Sequence, residues 1–353
     1  MLIDLDRPAE AQSRAMPALP VVAIVGATGA VGVELLGCLE GRNFPVKSLR
    51  LLASARSAGK QMAFRGQQIT IEELTEASFD GVDIALFSAG SGLSKKFAPI
   101  AVRAGAVVVD NSSAFRMEAN VPLVVPEVNA GAMAAHQGVI ANPNCVAAIA
   151  TVALAPLNAA HRIKRLSMAT YQAASGAGAA AMEELRLATA AALAGETYDH
   201  KVLPHPYAFN FFSHNAEMDP ETGYNGEETK VVAETRRIMG LPDLPVGITC
   251  IRVPILRAHG MAISVEFDEV VSPEEARALL ESAPGIRVVD DRARNHFPMP
   301  SEASGQEDVL VGRIRTDIGD PSGRTLALFV VGDQLLKGAA QNAVQIAEAL
   351  LPR

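Results

Sequence analysis

Val21-Val22-Ala23-Ile24-Val25-Gly26-Ala27-Thr28-Gly29-Ala30-Val31-Gly32 runs five apolar residues straight into three glycines spaced G-x-x-G-x-x-G. A short apolar run bounded by glycine reads as a buried strand, and the periodic apolar positions of Val31–Glu40 as a helix. Between strand and helix each glycine has a job. Gly26 permits the tight turn, Gly29 lets backbone approach a pyrophosphate, and Gly32 lets the helix pack closely on the strand. The N–H groups left open at the helix start are suited to phosphate.

Working outward, the same rhythm continues. Leu49–Ala53, Ile84–Ser88 and Val107–Asp110 are further short apolar runs, and Leu93–Ala104 has helical spacing. Strands alternating with helices predict an α/β fold whose N-terminal part is a Rossmann-like, doubly wound parallel sheet. A dinucleotide ligand follows from the glycine turn in that context. An NAD site would carry Asp or Glu at the end of the second strand. Here stands Ser54-Ala55-Arg56-Ser57-Ala58-Gly59-Lys60, with two cations and no acid. Arg56 with Ser54 and Ser57 can hold a 2′-phosphate, which favours NADP.

After residue 145 the pattern changes. An Ala-rich helix, Gly176–Leu193, precedes an irregular stretch with Pro204, Pro206, Pro220, Pro242 and Pro245. Alternating runs follow at Ile248–Val253, Ala262–Phe267, Val309–Ile314 and Leu326–Val331, which predict an α+β domain built on a mixed or antiparallel sheet. Asp333–Leu351 reads as an amphipathic helix returning to the first domain. The expected division is an extension at 1–20, a nucleotide domain at 21–145, a catalytic domain at 146–331 and the terminal helix at 332–353.

Asn142-Pro143-Asn144-Cys145 separates the strand Val139–Ala141 from the apolar helix Val146–Leu157, so Cys145 stands at a helix N-terminus, where the dipole favours a thiolate. Cys38 and Cys250 lie within apolar patterns and read as core residues. A nucleophilic thiol needs a proton partner. In Arg252-Val253-Pro254-Ile255-Leu256-Arg257-Ala258-His259, His259 closes a loop between two strands, and Arg252 at the strand end suits bidentate binding of a carboxylate. His200, His205 and His214 lie close in sequence, but their spacing fits no metal motif, so no metal is expected.

Composition narrows the classes. A chain of 353 residues is long enough for two domains. The net charge of −8 argues against general nucleic-acid or anionic-membrane surfaces. It also requires that any phosphate ligand be met by locally concentrated Arg and Lys. Three widely spaced cysteines fit neither a disulfide framework nor a zinc site. Cys145–Ala160, the most apolar run, is interrupted by Pro156 and Asn158 and is too short to span a bilayer. The first twenty residues carry Asp4, Asp6, Arg7, Glu10 and Arg14, which leaves no signal-peptide core. A cytoplasmic protein is expected.

Together these stretches resemble the bacterial aspartate-semialdehyde dehydrogenases from about Val21 to Leu351. The resemblance is carried by Gly26–Gly32, Asn111-Ser112-Ser113-Ala114-Phe115-Arg116, Pro126-Glu127-Val128-Asn129, Asn142–Cys145 and Gln172-Ala173-Ala174-Ser175-Gly176-Ala177-Gly178. It continues through Gly226-Glu227-Glu228-Thr229-Lys230, Arg252…His259 and Asp333-Gln334-Leu335-Leu336-Lys337-Gly338-Ala339-Ala340. It implies Cys145 as acyl-thioester nucleophile beside Asn144, His259 as acid/base and Gln172 as the residue orienting the substrate. Arg252 and Glu227 would hold the amino-acid end, and Arg116 and Lys230 the phosphate. The implied NADP contacts are Gly26, Thr28, Gly29, Ala30, Val31, Arg56, Ser57, Ser175, Gly176 and Gln334, where family members often carry Asn at the last position. The implied reaction is NADPH-dependent reduction of L-4-aspartyl phosphate to L-aspartate 4-semialdehyde, on the route to lysine, threonine, methionine and diaminopimelate, in a homodimer or tetramer. Two alternatives stay open: an N-acetyl-glutamyl-phosphate reductase, and a non-catalytic nucleotide-binding paralogue.

Overall fold

The computed structural model describes residues 15–352; of the expected N-terminal extension, residues 1–14 lie outside the described residues. The chain forms two compact units, one running to Asn144 and resuming at Ala339, the other Cys145–Gly338.

The first unit is built on seven strands: β1 Val21–Val25, β2 Ser48–Ala53, β3 Gln61–Phe64, β4 Gln67–Glu73, β5 Ile84–Phe87, β6 Val107–Asp110 and β7 Val139–Ala141, in the order β3-β4-β2-β1-β5-β6-β7. All neighbours are parallel except the β3–β4 hairpin at one edge. β5, β6 and β7 are buried throughout, which explains their unbroken apolar runs. The order reverses about β1, so the Gly26 turn lies where such sheets take their ligands. The edge hairpin escapes the sequence reading because its alternation is mostly polar, with Phe64 and Ile71 its buried positions. The terminal helix, Gln341–Ala349, packs on the helix Ala30–Gly41 and on β6. It is shorter than Asp333–Leu351, because Leu336–Ala340 forms a wide helical turn before it.

The second unit holds a mixed sheet of β8 Ile163–Gln172, β9 Phe212–Ser213, β10 Val246–Arg252, β11 His259–Phe267, β12 Ile286–Val288, β13 Val309–Thr316 and β14 Thr325–Gly332, in the order β12-β13-β14-β11-β8-β10-β9. The helix Cys145–Ala160 lies against β14 between the helices Gly226–Met239 and Pro273–Ser282. Its residues Val146–Leu154 are all buried, which accounts for a run apolar on every side. The first flanking helix lies in the stretch read as irregular and the second between two expected strands, yet both carry start signals. Asn225 caps Gly226–Met239 by accepting from the Glu227 and Glu228 N–H groups, and Glu228 returns the bond in a capping box. Ser272 before Pro273 caps the other by accepting from the Glu275 N–H. The Ala-rich helix begins only at Ala179, because Gly178 at φ 94° breaks it from the short turn Ala174–Ala177.

Candidate active site

In the first unit the glycine turn is shaped by close approach. A Cβ on Gly26, whose φ is 86°, would stand 2.4 Å from the Ser88 carbonyl oxygen, and one on Gly32 would stand 2.2 Å from the Gly26 oxygen. Neither position admits a side chain. Gly29 caps the helix Ala30–Gly41, and no side chain blocks the first turn. Thr28 and Gly29 are exposed and Ala30 and Val31 partly so; the Gly29 N–H closes the turn on the Gly26 carbonyl at 3.0 Å, so the helix's first turn, from Ala30, offers the N–H groups for phosphate. Beyond β2, Ser57 is buried in a turn closed by its N–H to the Ser54 carbonyl at 2.8 Å, while Arg56 is exposed. The residues fit a dinucleotide with a 2′-phosphate.

The same unit holds the Asn142 turn in place. Asn142 donates from Nδ2 to Asn111 Oδ1 at 2.8 Å and to the Ala339 carbonyl at 3.1 Å, and its Oδ1 accepts from Asn342 Nδ2 at 2.6 Å. Arg116 donates from Nε to the Asn142 carbonyl at 2.9 Å and from Nη2 to the Asn111 carbonyl at 2.7 Å. The Asn111 loop is held in turn by Asp110, whose carboxylate accepts from the Ser94 and Ser112 hydroxyls at 2.7 Å each.

In the second unit Cys145 is the first residue of its helix and only partly buried, unlike the residues that follow it. A Cβ on Gly338 would lie 2.7 Å from Cys145 Cβ, so the backbone of the Asp333–Gly338 loop passes directly over the cysteine. Asp333, fully buried, shapes that loop by accepting from Arg257 Nε at 2.6 Å, the Gly305 N–H at 2.6 Å and the Leu335 N–H at 2.9 Å.

His259 is expected in a loop; it is instead the first residue of β11, paired with Gly332 and fully buried. Ala258 turns the chain into that strand at φ 72°, an uncommon conformation for alanine, and its N–H is received by Gln334 Oε1 at 2.9 Å. The other end of the Gln334 amide donates to the Ser175 hydroxyl. His259 Nδ1 accepts from the Ala173 N–H at 3.0 Å, which leaves the ring proton on Nε2. Burial first, then the positive charge of Arg252 and the neighbouring His214 ring, hold its pKa well below the ordinary value, and only the Ala258 backbone pulls the other way. The ring is therefore neutral near pH 7 and presents an N–H.

Arg252, at the end of β10, is 2% exposed. It donates from Nη1 to the Ala173 carbonyl at 2.8 Å, and from Nη2 to Asn215 Oδ1 at 3.1 Å and toward His214 Nε2 at 2.7 Å. Its Nε has no partner, and no carboxylate lies in ion-pair range of it among the described residues. A buried guanidinium without a counter-ion is costly, and a ligand carboxylate is the natural remedy. On the adjacent strand Gln172 donates from Nε2 to Glu227 Oε1 at 3.1 Å. Lys230, one turn along the helix from Glu227, is exposed. Gly176 is open on one side and within van der Waals reach of both His259 and Arg252 on the other, where a Cβ would stand 3.1 Å from His259 Nε2 and 3.2 Å from Arg252 Nη1.

The structure thus gathers Gln172, Glu227, Arg252, His259, Ser175 and Gly176 around one end of the second sheet. Asn215, absent from the sequence reading, belongs to the same cluster, as does His214, which sequence spacing raised only as a metal ligand. His214 is set against Arg252 by the two-residue strand β9, and burial pushes its pKa down to about 4, with Arg252 and Lys230 adding to the shift and Glu227 opposing it. His205 stacks edge-on against Phe212 at 5.2 Å. Among the described residues no helix is long and apolar enough to cross a membrane.

Comparison with known proteins identifies the family. Residues 21–136 match the family model of the semialdehyde dehydrogenase NAD binding domain, and residues 154–337 that of the semialdehyde dehydrogenase dimerisation domain. The chain is similar to the aspartate-semialdehyde dehydrogenase of Synechocystis sp., with 51% identity over 96% of this chain and 99% of that protein. The Bacillus subtilis enzyme of the same name is 46% identical over 93% of this chain and 96% of its own length. Among solved structures, aspartate semialdehyde dehydrogenase II from Vibrio cholerae, complexed with ASA, superposes with a TM-score of 0.91 at 43% identity, covering 94% of this chain and 98% of that one. On these grounds the chain belongs to the aspartate-semialdehyde dehydrogenase family.

Proposed function

We propose that this chain reduces L-4-aspartyl phosphate to L-aspartate 4-semialdehyde and phosphate, in the cytoplasm, with Cys145 as nucleophile and NADPH as reductant. The observation that carries the reading is the buried Arg252 guanidinium beside the Gln172–Glu227 pair, in the unit whose central helix begins at Cys145. A cation for an α-carboxylate and an acid for an α-ammonium form a receptor for a free amino acid.

In this reading the Cys145 sulfur attacks the acyl carbon, the bond to the phosphate oxygen breaks, and phosphate leaves toward Arg116 and Lys230. When bound, the reduced cofactor supplies a hydride to the acyl carbon. The tetrahedral adduct held on Cys145 then collapses, re-forming the carbonyl and releasing the thiolate. His259, neutral with its proton on Nε2, donates to the reacting oxygen, where a positioned group contributes about 10²–10⁴-fold. Gln172 and Asn144 help to hold the acyl group in line. The cofactor contacts in this reading are Gly26, Thr28–Val31, Arg56 and Ser57, together with Ser175 and Gly176, with Gln334 bracing Ser175. The second unit also supplies the homodimer contact, for which the exposed Leu193, Phe209 and Phe211 are suited.

The test is phosphate-dependent oxidation of the free and the N-acetylated aldehydes by purified protein. Aspartate semialdehyde should be strongly preferred; faster turnover of N-acetyl-glutamate semialdehyde would reverse the substrate assignment. An N-acetylated amine cannot use the Glu227 carboxylate as an ammonium can, which favours the aspartyl substrate.

Two further results are expected. Arg56→Ala should weaken NADPH about tenfold or more while leaving NADH unchanged, since only the 2′-phosphate loses a charged partner. An unaltered NADPH/NADH ratio in steady-state kinetics would remove Arg56 from the site. Gly338→Ala should lower kcat by about 10²-fold, because its methyl would displace the Cys145 side chain by roughly 1 Å. Turnover at the wild-type rate, with the fold checked by circular dichroism, would show that the loop yields instead.

A further inference from the structure

We propose that Thr170, which touches neither substrate nor cofactor in the mechanism above, is a positioning residue that holds the Gln172 amide in place and thereby the Glu227 carboxylate. The inference deepens the proposed function and rests on it for the role of Glu227.

The register of the sheet carries the argument. β8 and β10 run parallel, with Thr170 opposite Cys250 and Gln172 opposite Arg252. Side chains two residues apart on a strand share a face, so the Thr170–Cys250 rung lies directly beneath the Gln172–Arg252 rung. Thr170 is fully buried and Gln172 1% exposed, so water does not reach their polar atoms. Each must be satisfied from within the protein.

The amide has one consistent orientation. Glu227 Oε1 lies 3.1 Å from Gln172 Nε2, and a carboxylate can only accept, so the NH2 group must face it. Gln172 Oε1 is then turned toward Thr170, whose hydroxyl donates to it at 3.0 Å. A flipped amide would set oxygen against carboxylate at the Glu227 end, so the Thr170 hydroxyl serves as donor and holds the amide in the one sense the carboxylate allows. The lower rung also anchors the far partner. The Cys250 N–H donates to Glu228 Oε1 at 2.9 Å, and Glu228 Oε2 accepts from the Asn225 N–H at 2.9 Å. The start of the helix that carries Glu227 is thereby tied to the strand position facing Thr170. Burial pushes the Cys250 thiol up to about 12, so this layer adds no negative charge beneath Glu227.

Thr170→Val keeps shape and β-branching and removes the hydroxyl, leaving Gln172 Oε1 buried without this partner and ending the hydroxyl's bond with the Cys250 thiol. Kinetics should show a KM for aspartate semialdehyde raised about tenfold with the KM for NADP unchanged. Thr170→Ser should stay within about twofold of wild type. In a Gln172→Ala background, Thr170→Val should cost nothing further, because the group it acts through is gone. Fully additive losses, or a Thr170→Val enzyme with wild-type KM, would overturn the proposal. A second readout needs no turnover: side-chain 15N–1H spectra of the ligand-free protein should lose the defined Gln172 NH2 pair in Thr170→Val and keep it in Thr170→Ser. Unchanged Gln172 resonances in Thr170→Val would count equally against it. A wild-type protein inactive toward the aldehyde would defeat the functional reading alone, with the spectra still deciding the role of Thr170.

Discussion

Cys145→Ser should yield a folded, NADP-binding protein whose turnover of aspartate semialdehyde has fallen by about 10⁴-fold or more. The substitution changes one atom, and the position tolerates a polar group, since Cys145 is partly exposed at the first position of its helix. What disappears is a nucleophile that ionises at accessible pH, because a serine hydroxyl at the same place stays protonated. Neither of the other thiols can take over. Cys38 and Cys250 are buried, and desolvation keeps Cys250 protonated. Alkylation gives a second measure: one rapidly modified thiol per chain in the wild type and none in the variant. A Cys145→Ser protein that turned over at the wild-type rate would end the thioester mechanism. A wild-type Cys145 that reacted no faster than a model thiol, in protein that binds NADPH, would favour the non-catalytic paralogue.

Much of this architecture is written locally. The run Val21–Gly32 states its strand, turn and helix because each depends on neighbours within a dozen residues, and Gly26 and Gly32 then meet backbone at distances only glycine tolerates. Cys145 is legible for the same reason, since a turn of Asn and Pro ahead of an apolar run is a local signal. The capping box at Asn225–Glu228 and the Ser272 cap on the Glu275 N–H are local signals too. Other features depend on strand register, which no local pattern encodes. His214 reaches Arg252 only because two residues, Phe212 and Ser213, pair with β10. Gly338 shields Cys145 across 193 positions of chain (338 − 145). Thr170 looks like an ordinary strand threonine until β8 and β10 are aligned. His259 illustrates the intermediate case: its sequence context marks it as functional, but its burial and its Nδ1 bond to Ala173 come from the sheet.

Arg252→Gln should lower kcat/KM for aspartate semialdehyde by about 10²–10³-fold, the range expected when one member of a buried, hydrogen-bonded charge pair is lost. The guanidinium has two tasks, and the experiment must separate them. It braces the Ala173 carbonyl, and Ala173 in turn holds His259 Nδ1, so part of any loss reflects displaced protein groups. It also offers its unpartnered Nε, with the charge it brings into the interior, to the α-carboxylate of the substrate. The comparison that isolates the second task uses 3-aminopropanal, which keeps the aldehyde and the amine and lacks the carboxylate. Wild-type protein should discriminate against it strongly, because a site built around a buried cation rejects a ligand that leaves the cation unpaired. In Arg252→Gln that discrimination should collapse, the poor substrate losing little and the good one nearly everything. Arg252→Lys should fall between, since it restores charge without the planar fork that matches a carboxylate. If instead both aldehydes slowed by the same factor in Arg252→Gln, the residue would act only through Ala173 and His259. The α-carboxylate would then have to be held by some other cation.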